Sequence, residues 1–421
     1  MSNSKVMDKW NAKMEEVRSE IQNKSKKELE SAVNYLKGPQ FISLEPLFDK
    51  KQRDKSIFED HGFKADTLYY RKPEKYWNEV GLLVPDNIKY DGTAAPVHVF
   101  FMGGGFWTGD WKFCPWYLHE SLCQARDQGA VILAVNYPRF PLADINDITR
   151  AVDDFWAYFY DENDFTEDYK HAFPGLSIDR KRLLVSGESA GGYVAAYSVM
   201  CAHPKLEANA LFLRYPMLRH YKRDDRDNLE IPYMGESIVK KKAQEGANAL
   251  WEVVQRIRGE MKKAGLLGLS DQGVFADILE RRTPPYGMCG AFMTSWVGTW
   301  VDYFGGGPQG EISPDVLTLM VQANSKRQRL GPGAKIPALF IYHGTDDKNV
   351  PFEVSKAFVK EWRTMFEPQD LGVFFLKVHK GHGFDYVIDG NFEFQDGDDV
   401  PDKSTTMRVF MDAMSAVWNT K

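Results

Sequence analysis

Gly187-Glu188-Ser189-Ala190-Gly191 spells G-x-S-x-G. It follows the apolar run Leu183–Ser186 and opens a stretch of helical spacing that reaches Cys201. A strand that turns at once into a helix holds its serine in a strained conformation with Oγ exposed, and the flanking glycines let neighbouring backbone approach. The helix N-terminus favours negative charge developing beside it. Ser189 is therefore the candidate nucleophile. Such a serine needs a base to take its proton and donors to hold an oxyanion. Gly103-Gly104-Gly105 follows the apolar run Val97–Met102, and consecutive glycines leave backbone N–H groups able to point at one spot. Further on, Asp346 and Asp347 follow the apolar run Ala338–Tyr342, and His379 and His382 follow Val373–Val378. On chemistry alone, either aspartate and either histidine could complete the set.

These residues must be carried by a scaffold, and its elements are legible in outline. Val97–Met102, Val131–Tyr137, Leu183–Ser186, Ala210–Tyr215, Ala338–Tyr342 and Val373–Val378 read as buried strands. Asp147–Tyr160, Ala190–Cys201, Phe352–Met365 and residues 403–418 read as helices between or after them. Alternating helices and continuously apolar strands predict a mostly parallel sheet with helices on both faces. Ligand sites in such sheets lie at the carboxyl ends of the strands, where every candidate above falls. Residues 219–312 interrupt the rhythm, with charge runs, helical segments, many aromatics and no clear strand. Too long for a structureless loop, they predict a helical cap inserted between two strands. At the N-terminus, Met7, Trp10, Met14, Val17 and Ile21 recur on one helical face, predicting a helix that docks on the cap. The expected division is an N-terminal helical segment, 1–60, contributing to the cap; a catalytic core, 61–218 and 313–421; and the cap, 219–312.

Several motifs resemble those of the hormone-sensitive-lipase-like carboxylesterases of the α/β-hydrolase superfamily, over roughly residues 95–218 and 311–390. Met102–Gly109 (MGGGFWTG) resembles that family's His-Gly-Gly-Gly-Phe-x-x-Gly loop, with Met102 where the family has histidine. Gly187–Gly192 (GESAGG) is similar to its Gly-Asp-Ser-Ala-Gly-Gly turn. His343–Pro351 fits its His-Gly-x-x-Asp-x-x-Val-Pro pattern, which selects Asp347, and His382-Gly383-Phe384 fits its His-Gly-Phe triplet, which selects His382. Ser313-Pro314 resembles the pair that re-enters the core after the cap, while Asn136–Pro141 only dimly matches the family's Tyr-Arg-Leu-Ala-Pro-Glu. The chain order serine, aspartate, histidine is that of the α/β-hydrolase fold. The resemblance implies that fold with a cap, Ser189 as nucleophile, His382 as base, Asp347 as its orienter, and the amides of Gly104, Gly105 and Ala190 as oxyanion donors. Gly104–Trp107 is also similar to kynurenine formamidases, which use the same machinery on an N-formyl amide.

Composition excludes other classes. With 53 Lys+Arg against 59 Asp+Glu, the net charge of -6 argues against a nucleic-acid partner. No apolar run approaches the roughly 18 residues of a membrane helix, and the polar first 37 residues lack a hydrophobic signal core. The four cysteines form no C-x-x-C pair, which fits free thiols in the cytoplasm and leaves no expected zinc site. Gly305-x-Gly307-x-x-Gly310 does not open a long helix after a clear strand and is not read as a dinucleotide site. His379, His382 and Asp385 at one strand end are read as part of the serine chemistry rather than as metal ligands.

The expected function is thus cytoplasmic hydrolysis of a small-molecule carboxylic ester through an acyl-enzyme, without metal or organic cofactor. Alternatives with the same residues are an amidase, formamidase, lactonase or acyltransferase; the alternative of another class is a non-catalytic small-molecule receptor. Phe106, Trp107, Tyr193 and Trp296 are the aromatic candidates for substrate contact. A roofed, aromatic-rich pocket suits a compact ester, and the cap with the N-terminal stripe could support a homodimer.

Overall fold

Four of the described strands have no exposed face. All seven residues of β3 (Ala95–Phe101), all five of β4 (Val131–Val135) and β6 (Ala210–Arg214), and all seven of β9 (Ala338–Gly344) are buried. Successive side chains in a strand point to opposite faces, so continuous burial requires cover on both sides of the sheet. The computed structural model describes residues 55–70, 78–107, 109–139, 143, 145–201, 203–218, 230–233, 236–239, 252, 336–366, 372–386 and 407–420.

Together with β1 (Phe63–Tyr70), β2 (Asn78–Pro85), β5 (Ile178–Glu188) and β10 (Val373–Val378), these strands form one eight-stranded sheet ordered β1-β2-β4-β3-β5-β6-β9-β10. β1 and β2 run antiparallel at one edge, and every pairing from β4 to β10 is parallel. The helices are α1 (His119–Asp127), α2 (Ile145–Phe159), α3 (Asp164–Ala172), α4 (Ser189–Cys201), α5 (Phe352–Phe366) and α6 (Met407–Trp418). α4 packs on β5, β6 and β3 and against α2, whereas α6 packs on β5 and β6 and against α1. The chain is a doubly covered, mostly parallel α/β sheet, as expected.

Register is what matters for the site. Phe101 pairs with Gly187, Glu188 with Arg214, Arg214 with Tyr342, and Gly344 with Val378. The carboxyl ends of β3, β5, β6, β9 and β10 therefore finish side by side, so the loops that follow them share one edge.

The structure departs from the sequence reading in places. The β1–β2 pair was not foreseen: β1 (FKADTLYY) is half polar, as an edge strand can be, and β2 contains a glycine and ends in proline. Gly81 of β2 lies under Trp111, where a Cβ would sit 2.2 Å from the indole. α1 and α3 bury only three and two residues, too few for a readable stripe. The stretch 219–312, expected to hold no strand, contains an antiparallel pair, β7 (Glu230–Tyr233) with β8 (Glu236–Val239). Most of the expected cap and the N-terminal stripe of Met7, Trp10, Met14, Val17 and Ile21 lie outside the described residues. At the end of the expected N-terminal segment, Lys55–His61 form a 3-10 helix whose Phe58 stacks on Trp111 and meets the edge of Tyr117.

Candidate active site

Ser189 is the first residue of α4, directly after β5, and its φ is 49°. That left-handed conformation is costly for a residue with a Cβ and is retained where surrounding structure enforces it. Here the enforcement is steric. A Cβ on Gly187 would lie 2.1 Å from the Gly191 carbonyl oxygen, and a Cβ on Gly191 would lie 2.0 Å from that of Phe101. Only glycine at both positions lets β5 fold back into α4 while the end of β3 lies against the turn. Among the described residues, the other non-glycine residues with positive φ are Phe106 (60°), in the loop after β3, and Tyr215 (35°), just after β6. All three lie at strand ends of the same sheet edge.

Downstream loops bring two more groups to Ser189. His382 Nε2 is 3.1 Å from Ser189 Oγ, and His382 Nδ1 is 2.7 Å from Asp347 Oδ2. A carboxylate only accepts, so the His382 proton sits on Nδ1 and Nε2 faces the serine hydroxyl as acceptor. Asp347 Oδ1 accepts from the amides of Asn349 and Val350 at 2.7 and 2.8 Å. Its Oδ2 also lies 3.2 Å from Nε2 of fully buried His343. That His343 nitrogen additionally meets the Val350 carbonyl at 2.9 Å, so it too must carry the proton; Nδ1 then accepts from Ser355 Oγ at 2.7 Å. Burial raises the Asp347 pKa, but the charge of His382 and hydrogen bonds from His343 and His382 outweigh it. The carboxyl is held well below the usual carboxylate range.

The residues that chemistry alone left as equals separate cleanly here. Asp346 and His379 are half or more exposed and pair with one another at 3.4 Å, with Thr345 Oγ1 on His379 Nδ1. Neither reaches Ser189. Asp385, considered beside the histidines, turns instead to Arg214, Tyr215 and Tyr342. His379, His382 and Asp385 thus each serve a different partner.

The glycine loop lies against the serine turn. Gly104 and Gly105 both have positive φ, and the Trp107 amide donates to the Gly104 carbonyl at 3.0 Å. Among the described residues, no backbone carbonyl accepts from the amides of Gly104 or Gly105. Ala190 is the second residue of α4, so its amide belongs to the helix N-terminus. Met102 is buried, and its carbonyl accepts from Tyr137 hydroxyl at 2.6 Å. The Gly103 amide donates to Glu188 Oε1 at 3.2 Å. Loop shape is thereby supported by Tyr137 and Glu188. Burial raises the Tyr137 hydroxyl further above its ordinary range, so it remains a donor near neutrality.

Of the aromatic candidates, Phe106 and Tyr193 are buried and meet edge to face at 5.9 Å, and Trp107, the residue after Phe106, is also buried. Trp296 lies outside the described residues. Sequence reasoning missed Tyr215, whose ring meets that of His382 at 4.6 Å, and the charged pair Glu188 and Arg214 beneath the turn. The available signal was a lone charge at the end of the otherwise apolar strand ALFLR.

A sequence family described as alpha/beta hydrolase fold matches residues 98–257. "Probable carboxylesterase M8" of a Phoma species is 25% identical over 324 residues, covering 74% of this chain and 82% of its own length. "Carboxylic ester hydrolase LipN" of Mycobacterium tuberculosis is 33% identical over 116 residues, 27% of this chain and 27% of LipN. Among solved structures, a bacterial heroin esterase superposes with a TM-score of 0.49 at 16% identity, covering 93% of this chain and 96% of that one. The chain has an α/β-hydrolase fold. No described helix is long and apolar enough to cross a membrane.

Proposed function

We infer that this α/β hydrolase is a serine carboxylesterase that cleaves a small-molecule ester through an acyl-enzyme. The observation that carries the inference is the unbroken path from Ser189 Oγ through His382 to Asp347, at 3.1 and 2.7 Å. Ser189 attacks the ester carbonyl while His382 Nε2 takes its proton. The carbonyl oxygen becomes an oxyanion, for which we assign the amides of Gly104, Gly105 and Ala190 as donors. His382 then returns the proton to the leaving alcohol, and water resolves the acyl-enzyme by the same two transfers. Asp347 holds the His382 ring in the working tautomer and stabilises the imidazolium that forms. No metal or organic cofactor has a step in this sequence.

We further assign Phe106, Trp107 and Tyr193 to the wall of the substrate pocket. Residues 219–312, with the N-terminal segment 1–60, are assigned to its roof, the core being 61–218 and 313–421. That arrangement favours compact esters with short acyl chains over emulsified lipid. A cytoplasmic site of action is supported by the free thiols of Cys114, Cys123 and Cys201.

The test is labelling with a fluorophosphonate followed by rates on paired short-chain esters and amides of the same alcohol and amine skeleton. Stoichiometric labelling that vanishes in Ser189→Ala, with esters turned over faster than amides, is the expected result. Labelling retained in Ser189→Ala refutes the nucleophile, and faster amide cleavage replaces the esterase by an amidase.

A further inference from the structure

Directly beneath the serine turn lies a charged cluster that the reaction scheme does not use. Arg214, the last residue of β6, has a side chain only 3% exposed, and those of Glu188 and Asp385 are 0% exposed. Its guanidinium donates from Nη1 to Asp385 Oδ2 at 2.7 Å, and from Nη2 to Glu188 Oε2 at 2.8 Å and the Trp116 carbonyl at 2.9 Å. Tyr215 hydroxyl lies 3.2 Å from Glu188 Oε2 and also bonds Asp385, and Tyr342 hydroxyl donates to Asp385. Burial disfavours the charged guanidinium, but the two carboxylates outweigh it and keep Arg214 protonated. Burial, then the Asp385 charge, raise the Tyr342 pKa and keep its hydroxyl a donor.

Taking three charges out of water is expensive, and well-packed apolar residues of the same volume would often stabilise a core at least as well. What the cluster offers instead is geometry. Glu188 is the residue before Ser189, and its other oxygen holds the Gly103 amide of the glycine loop. Asp385 follows His382 by three residues, on the single turn after β10. Tyr215 packs its ring on His382. The planar fork of one guanidinium therefore ties together the three loops that carry nucleophile, oxyanion site and base, which lysine's single nitrogen cannot do.

We propose that Arg214, through Glu188 and Asp385, is a positioning residue that sets the base His382 and the glycine loop in register with Ser189. The proposal rests on the esterase reading above. Alkyl esters leave as poor alkoxides and need His382 to deliver a proton, whereas p-nitrophenolate leaves with little help. Misplacing the base must therefore slow an alkyl ester more than a p-nitrophenyl ester of the same acid. A merely structural role would lower the fraction of working enzyme and affect both alike.

Arg214→Lys and Tyr342→Phe are compared with wild type on ethyl and p-nitrophenyl butyrate. Rates are divided by the phosphonate-titrated concentration of Ser189. The expected result for Arg214→Lys is a loss in kcat on the ethyl ester of about tenfold to a hundredfold. The loss on the aryl ester should be clearly smaller, and KM should move little. Tyr342→Phe deletes one hydroxyl and keeps all charges, so it carries the same comparison with a milder loss if Arg214→Lys does not fold. Equal losses on both esters per titrated site, or a loss confined to the number of titratable sites, overturns the proposal. A wild-type protein that neither labels nor cleaves either ester overturns the esterase reading itself, and the positioning role falls with it.

Discussion

Replacing Asp347 by asparagine removes one charge and almost no volume, and the surroundings dictate how the amide must sit. Oδ1 accepts two backbone amides, from Asn349 and Val350. Asparagine can satisfy both only by placing its carbonyl oxygen there. Its NH2 group then takes the place of Oδ2 and faces His382 Nδ1, now 2.7 Å from a donor. The ring relieves that clash by moving its proton to Nε2, which points at Ser189 Oγ from 3.1 Å and can no longer accept the serine proton. His343 Nε2, also a donor at that corner, meets the same conflict and cannot rescue the old arrangement. Imposing the wrong tautomer costs about 10⁴ in kcat in the trypsin-family case from which this expectation is drawn. At 1.36 kcal/mol per decade, that is about 5 kcal/mol of transition-state stabilisation. Asp346→Asn is the matched control, because that carboxylate is half exposed and pairs with exposed His379. It should change kcat by less than about twofold, as surface pairs contribute little. Saturating rates on p-nitrophenyl butyrate, with folding checked by circular dichroism, measure both. A loss under tenfold in folded Asp347→Asn, or an equal loss in Asp346→Asn, would refute the tautomer argument.

Other perturbations follow from the same structure. His98 is buried, bonded to Ser186 Oγ at 2.6 Å, and its pKa is lowered to about 3, first by burial and then by the Arg214 charge. Unfolded histidine titrates near 6.5, so below that pH the unfolded chain gains a proton that the folded chain refuses, and stability falls as pH falls. Between pH 7 and 5 this accounts for about 2 kcal/mol; urea titrations should show His98→Gln losing that much less over the interval, and an unchanged slope would remove His98 from the account. Gly191→Ala places a Cβ against the Phe101 and Met102 carbonyls, so it should abolish turnover and lower stability by about 1–3 kcal/mol or more. Gly381→Ala, with open space around it, should leave the melting temperature unchanged. Rates on short-chain esters should show no jump when substrate passes from solution into emulsion, and a strong jump would replace the compact-ester reading by a lipase.

The local motifs were legible because local physics demands them. A nucleophile on a strand-to-helix turn needs glycine two places before and after it, and the overlaps at Gly187 and Gly191 state that need in distances. Strands buried on both faces must be continuously apolar, so β3, β4, β6 and β9 could be read from the chain, and β5 and β10 were legible from their apolar runs Leu183–Ser186 and Val373–Val378. What local sequence could not rank was Asp346 against Asp347 or His379 against His382. Family resemblance chose between them, and the fold supplies the reason: Asp347 turns inward to four donors while Asp346 and His379 meet at the surface. The edge pair β1–β2 carries too much polarity to advertise a strand, and the β7–β8 pair lies among charge runs that hid it. Least legible of all was the cluster on Arg214, whose carboxylate partners lie 26 and 171 residues away along the chain. Sequence determined that a serine, an acid and a histidine would meet at one sheet edge. Only tertiary register, with Glu188 beside Arg214 and Arg214 beside Tyr342, decided that a buried cation would lie beneath them, because such pairing depends on which strands become neighbours.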